Sequence, residues 1–348
     1  LLDENGTAPI WYEPRHILAQ VCARFADLQL RPVIALELEF HLIEQKRDER
    51  GAPTLSPSPF SSRPDRQGHP LSLSKLDEYE PVLSAIRDAC RAQGLPVTSV
   101  ISENGAGQFE INLAHQSDPL RASDHAALLR RAVRATARSL GIDATFMSKP
   151  FVDKDGNGLH VHVSLLDEDG QNIFDPAREN GAKMLGHAIA GLQTTLHEAM
   201  AIFAPNINTY RRFRPNEYTP VTRDWGENNR STAIRLPMSG NGQSRRLEHR
   251  VAGANANPYL VTAAVLAGIH HGMTNALTPS QMAGGNAGVK IDPTLPLTIW
   301  SALQSLGQAT ILPDYLGRRY LEIYHDVKAA EFNSFMELIS GREYRWYL

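Results

Sequence analysis

An α+β fold, with helices layered on a sheet that has one apolar and one charged face, is predicted by three features of this sequence. Four segments alternate apolar and polar residues with period two, longer segments between them repeat apolar residues at helical spacing, and the two kinds are interspersed irregularly.

The elements follow in chain order. Ile17, Leu18, Val21, Cys22, Phe25 and Leu28 space as one helix face. At Arg31-Pro32 the period changes to two, and "VIALELEFHLI" sets Leu36, Leu38, Phe40 and Leu42 against Glu37, Glu39 and His41. Side chains repeat on a strand face every second residue, so the two carboxylates stand about 7 Å apart. "QFEINLA" alternates Phe109, Ile111 and Leu113 with Glu110 and Asn112, and "LHVHVSL" alternates Leu159, Val161, Val163 and Leu165 with His160, His162 and Ser164. "RRLEHRV" sets Arg246, Glu248 and Arg250 against Leu247, His249 and Val251. Helices are expected over residues 123–140, 184–203, 258–275 and 314–338, with Phe332, Phe335 and Met336 in the core. The stretch 51–68, rich in Pro and Ser, reads as a loop.

With 348 residues, 42% of them hydrophobic, the chain can bury a core as one large or two ordinary domains. Its formal net charge of −3 and lack of a basic run argue against nucleic acid as a partner. The longest apolar stretch, "YLVTAAVLAGI", is shorter than the roughly 18 to 20 residues a bilayer needs, so no membrane span is expected. Residues 1–14 lack the pattern of a signal peptide and read as a linker, and the two cysteines, Cys22 and Cys90, fall in helical segments, which points to a reducing, cytoplasmic setting.

One charged strand face is ordinarily a solvated one, but four that can share a sheet carry a different meaning. Together they offer Glu37, Glu39, Glu110, His160 and Glu248, and "SENGAGQFE" adds Glu103 in the turn before Glu110. Five carboxylates on one face repel one another unless cations neutralise them. An oxygen-rich set suits hard ions, so two or three Mg²⁺ or Mn²⁺ ions are expected. Beside them, residues 211–250 hold nine arginines against four acids, beginning with "TYRRFRPNEYTP". Guanidinium groups bind carboxylate and phosphate bidentately, and metals with arginines are what phosphoryl transfer requires. No GxxxxGK[ST] loop, GxGxxG fingerprint or kinase catalytic loop is present.

These motifs, "ELEF", "GQFEI", "GNGLHVHVSL", "YRRFRP", "NNRSTAIRLP" and "RRLEHRVAGANANPYL", resemble in order and spacing those of the glutamine synthetase superfamily over nearly the whole chain. The resemblance implies a curved antiparallel sheet lining a funnel, ATP entering one end and glutamate the other. It implies a catalytic domain over residues 15–348, with an N-terminal β-grasp domain missing from the chain. Glu39, Glu103 and Glu110 resemble ligands of the metal nearer the amino acid, and Glu37, His160 and Glu248 those of the metal on the ATP phosphates. His162, Ser164 and Arg235 resemble nucleotide contacts. By the same likeness Arg212 holds the α-carboxylate of glutamate, Arg250 its γ-carboxylate and Arg230 the transferring phosphate, while Gly156 lets the backbone approach the substrate amine.

Two positions depart from the pattern. Asp155 stands where glutamine synthetases carry Asn, and Tyr218 where they carry the glutamate that closes the ammonium pocket and takes its proton. Glu217 lies one residue earlier. An aromatic at Tyr218 resembles the γ-glutamylpolyamine synthetase branch, which implies an ATP-dependent ligase joining the γ-carboxylate of glutamate to a primary amine through a γ-glutamyl phosphate. The alternatives are an ordinary glutamine synthetase using ammonia, if Glu217 reaches the ammonium position, and a catalytically retired binding homologue. Glu103 or water would deprotonate the amine. The family's rings imply a homo-oligomer, a hexamer or dodecamer.

Overall fold

The structure, a computed structural model, describes residues 6–60 and 68–348. Parts of the expected linker and of the 51–68 loop lie outside the described residues. Among the described residues nine strands form one sheet: β1 (Arg31–Arg47), β2 (Pro53–Leu55), β3 (Val97–Ser102), β4 (Gln108–Leu113), β5 (Ile142–Thr145), β6 (Leu159–Leu166), β7 (Trp225–Glu227), β8 (Ile234–Leu236) and β9 (Leu247–His249). Their order is β3-β4-β1-β6-β9-β8-β7, with β2 and β5 paired to the far half of β1. All pairs are antiparallel except β7 with β8, so the expected antiparallel sheet ends in one parallel pair.

The period-two reading of β1, β4 and β6 holds residue by residue. Leu36, Leu38, Phe40, Phe109, Ile111, Leu159, Val161 and Val163 are at most 1% exposed, beneath helices on one side of the sheet. The helices are α1 (Pro14–Ala26), α2 (Leu73–Glu78), α3 (Glu80–Ala92), α4 (Pro119–Ser139), α5 (Gly181–Phe203), α6 (Ile207–Tyr210), α7 (Pro258–Thr274), α8 (Ile299–Gly307), α9 (Leu312–Leu316), α10 (Arg318–Met336) and α11 (Gly341–Tyr347). Proline at the first turn of α1, α4 and α7 uses a fixed φ where no backbone donor is needed. The apolar run that opens at Tyr259 is a core helix, α7, packed against α5 through Gly191 and Gly268. A Cβ on Gly191 would lie 2.0 Å from the Gly268 carbonyl oxygen, so glycine sets how closely these two helices approach. Among the described residues no helix is long and apolar enough to cross a membrane.

Four expectations need correction. Five short strands, β2, β3, β5, β7 and β8, escaped the sequence reading; β2 lies inside the expected 51–68 loop. The fourth alternating segment pairs only over Leu247–His249, and Arg246 and Arg250 flank it. The expected helix over 314–338 breaks at Gly317, whose φ of +89° only glycine adopts without strain, giving α9 and α10. Phe335 and Met336 are 49% and 64% exposed rather than in the core. Phe332 is half-buried and stacks on Trp300, because α10 meets its neighbours along one face only.

Candidate active site

Strand register alone assembles the floor of the site. Glu37 on β1 pairs with His160 on β6, Glu39 pairs with Glu110 on β4, and His162 pairs with Glu248 on β9. Directly opposed residues share a face with Cβ atoms about 5 Å apart, so the pleat gathers all six on the face away from the helices. Glu37 Oε2 lies 3.2 Å from His160 Nδ1 and Glu37 Oε1 lies 2.7 Å from His162 Nε2. Glu103 joins them from the tight turn after β3, where its N–H donates to the Gln108 carbonyl.

The charges are unevenly balanced. Burial, together with Glu37, Glu103 and Glu39, pushes the Glu110 carboxyl well above its usual range. Burial and Glu39 push Glu103 up to about 8, against the opposing pull of Arg230. Burial also acts to raise Glu37, but the imidazoles of His162 and His160 more than reverse it. Glu248 is fully buried and would be raised too, yet Arg250 and the two histidines bring it down to about 2. Its oxygens accept from Arg250 Nη1 and, at 2.7 Å, from Arg235 Nη1.

Two groups of side chains, Glu37, Glu110 and His160, and Glu37, His162 and Glu248, each bring three ligand atoms within 4.8 Å of one another. The donor set fits hard divalent ions, because a cation among them relieves the repulsion that raises Glu103 and Glu110. His162, expected to contact nucleotide, stands in the second group, and its Nδ1 accepts from Arg246 Nε at 3.2 Å.

A cavity of about 370 Å³ opens above this floor, lined by Glu37, Glu39, Glu103, Glu110, His160 and Glu248 together with Asp155, Gly156, Arg212, Tyr218, Arg230, Arg235 and Arg250. A second, of about 980 Å³, shares Glu37 and is lined by His162, Ser164 and Arg246. The predicted residues thus line two hollows that share Glu37 and Ile101. Ser164 Oγ donates to the Arg245 carbonyl, and Arg235 points to Glu248 and Asn228 rather than into the second hollow.

Arg212 is 3% exposed, and its Nη1 donates to the Val251 carbonyl, while its Nε has no partner. Burial lowers its pKa to about 10, so a carboxylate ligand would both pair it and satisfy it. Gly156 abuts it: a Cβ there would lie 2.5 Å from the Ser148 carbonyl oxygen and 2.6 Å from Arg212 Cγ. Asp155 accepts from Asn104 Nδ2, and Tyr218 stands 59% exposed at the rim.

Sequence reasoning missed the groups that hold these side chains. Gln108 Nε2 donates to Glu39 Oε2, the Gly156 carbonyl and Asn157 Oδ1, while its Oε1 accepts from Gly105 N–H. Asn157 Oδ1 also meets His41 Nδ1 at 2.9 Å. Gln108 shares the Glu110 face of β4 at a spacing of two, a signal that could have found it; Asn157 and Lys149 lie in loops that carry no period.

Crowded carboxylates and imidazoles beside arginines form a site whose chemistry suits divalent cations and phosphate or carboxylate groups. Residues 11–347 match the glutamine synthetase catalytic domain, and the chain belongs to that family of ATP-dependent ligases. It is 37% identical over 348 residues to a γ-glutamylputrescine synthetase of Escherichia coli (strain K12), covering all of this chain and 73% of that one. It is 31% identical over 346 residues to a glutamine synthetase of Halobacterium salinarum, covering 96% and 74%. Among solved structures, a GmaS/ADP complex superposes with a TM-score of 0.85 at 28% identity, covering 98% of this chain and 78% of that one.

Proposed function

We propose that the protein joins the γ-carboxylate of L-glutamate to a primary amine at the expense of ATP, releasing ADP and phosphate. The observation that carries this reading is Tyr218 at the rim of the cavity that Glu37, Glu39, Glu103, Glu110, His160 and Glu248 also line. A carboxylate at this position would cage a small cation and take its proton. A tyrosine carries no carboxylate to do either, and its ring offers an apolar, cation-attracting wall. The relative named for putrescine is also more similar to this chain than the glutamine synthetase compared with it.

In this reading Glu39, Glu103 and Glu110 hold one divalent ion and Glu37, His160 and Glu248 another, Mg²⁺ or Mn²⁺ by their oxygen-rich chemistry. When bound, such ions would supply positive charge to neutralise the ATP phosphates and polarise the γ-phosphate. Arg212 clamps the α-carboxylate, with the backbone at Gly156 close to the substrate amine and Asp155 beside it. Arg250 orients the γ-carboxylate and Arg230 stabilises charge on the phosphoryl group in transfer. His162 and Ser164 line the second hollow, where the nucleotide would lie, and Arg235, in the first, would meet its phosphates. Glu103 beside its ion, or water reaching the cavity, would take the proton of the attacking amine. The catalytic domain spans residues 15–348 after a linker, and subunits assemble into a hexameric or dodecameric ring.

Steady-state rates with ammonium and a panel of primary amines, with products identified by mass, test the reading. A γ-glutamyl amide formed faster than glutamine is expected. Glutamine formed faster than every amide would restore the ordinary synthetase.

A further inference from the structure

Lys149 is 5% exposed, and its backbone is gripped on both sides by Asn208, whose Oδ1 accepts from Lys149 N–H at 2.8 Å and whose Nδ2 donates to the Lys149 carbonyl at 2.9 Å. Asn208 sits in α6, just before Arg211-Arg212. From this fixed base the ammonium reaches two loops, donating to the Lys154 carbonyl at 2.6 Å and to Glu217 Oε2 at 3.3 Å. The first loop leads into Asp155-Gly156, and the second carries Tyr218. Arg214 Nη1 lies 4.0 Å from the other oxygen, Glu217 Oε1. Glu217 is therefore an acid within the cavity whose two oxygens both face cations. Its loop is held as well: Asn216, at φ +62°, donates its N–H to the Gly288 carbonyl at 2.8 Å.

We propose that Lys149 determines amine specificity by withholding the Glu217 carboxylate from the amine end of the cavity. This rests on the ligase reading above. A free carboxylate one residue from Tyr218 would favour the smallest cation, ammonium, and could take its proton. Bound to Lys149, it leaves Tyr218 as the group the nucleophile packs against, so the substrate class is a primary amine with a hydrocarbon body. Lys149 does not line the cavity, whereas Glu217 does, so Lys149 acts as a positioning residue through Glu217.

The test is kinetics of the full chain with ammonium, methylamine and putrescine as separate nucleophiles. In Lys149→Met the KM for ammonium should fall about tenfold, the scale of releasing one partly buried charge, while the KM values for the other two fall less. Lys149→Met/Glu217→Gln should return ammonium to the wild-type KM, and Lys149→Arg should keep the wild-type ranking. A Lys149→Met enzyme that loses kcat equally for all three, with no reversal by the second substitution, would overturn the proposal. Should Lys149→Met not fold, Glu217→Gln alone decides: the ratio of ammonium to amine KM should stay within about twofold, because the carboxylate is already engaged. A selective rise in the ammonium KM would make Glu217 the ammonium ligand and reverse the inference. Wild-type turnover in the same series separates the two failures, since a wild type that prefers ammonium refutes the ligase reading whatever the variants do.

Discussion

Glu37, Glu39, Glu110, His160 and Glu248 stand on four neighbouring strands, whereas Arg212, Glu217 and Tyr218 stand on the loop between α6 and β7. The strand residues are placed by ladder register, which a shift of one residue would turn to the other face, into the helical layer. The loop residues depend on a handful of contacts: Arg212 on Val251, Glu217 on Lys149 and Asn216 on Gly288. Chemistry common to a family can rest on the register, while the choice of nucleophile can change on the loop without disturbing the sheet.

Substitutions on the floor should have the largest effect. His160→Ala removes a group that lies within 3.9 Å of the carboxylates of Glu37, Glu39, Glu110 and Glu248. Turnover at saturating Mg²⁺ should fall by about a thousandfold or more, the cost of losing a metal ligand and the charge balance around it. Glu248→Gln should do the same with the fold retained. Glu248→Ala instead leaves two guanidinium groups without their carboxylate, and chemical denaturation should show a loss of about 3 kcal/mol or more. Floor variants that keep full activity would end the contrast between floor and rim.

Rim arginines should divide by step. Arg212→Ala should raise the KM for glutamate by about a hundredfold with a smaller change in kcat, since a carboxylate clamp acts in the ground and transition states alike. Arg230→Ala should lower kcat chiefly. Identical behaviour of the two, measured by steady-state kinetics, would erase the division. Tyr218→Glu should shift the ratio of ammonium to amine use by about tenfold toward ammonium, as apolar contact worth roughly 0.8 kcal/mol per methylene is exchanged for an acid.

The smallest effect concerns stability. Burial holds His41 on β1 and His249 on β9 neutral, each lowered from 6.5 to about 3. A depressed histidine pKa means the unfolded chain binds more protons below pH 6.5, so the stability each confers is present above that pH and lost as pH falls toward 3. Each should add a slope of up to about 1.4 kcal/mol per pH unit in that window. Thermal melts between pH 6.5 and 4 should be shallower in His249→Phe, which keeps the ring packed on Phe203 and removes the titration. An unchanged slope would show that His249 titrates normally.

The alternation of β1, β4, β6 and β9 was legible because burial on one face forces a period of two, and Glu37, Glu39, Glu110, His160 and Glu248 could be named from it. Glu103 had to come from its place in a motif, since a turn has no period. The same limit hid Lys149 and Asn157, whose roles come from partners more than sixty and more than a hundred positions away. Short strands such as β2 and β5 were hidden because three or four residues are too few to establish a period, and the sheet confers their strand form through pairing with β1. Phe335 and Met336 were misplaced for a related reason: helical spacing marks an apolar face but not what covers it. The sequence by itself determined which residues can be acids and bases on a common sheet face, because side-chain direction in a strand is local geometry. Only the tertiary structure decided which acid is free and which is paired, as with Glu103 and Glu248, because charge balance depends on distances between segments remote in the chain.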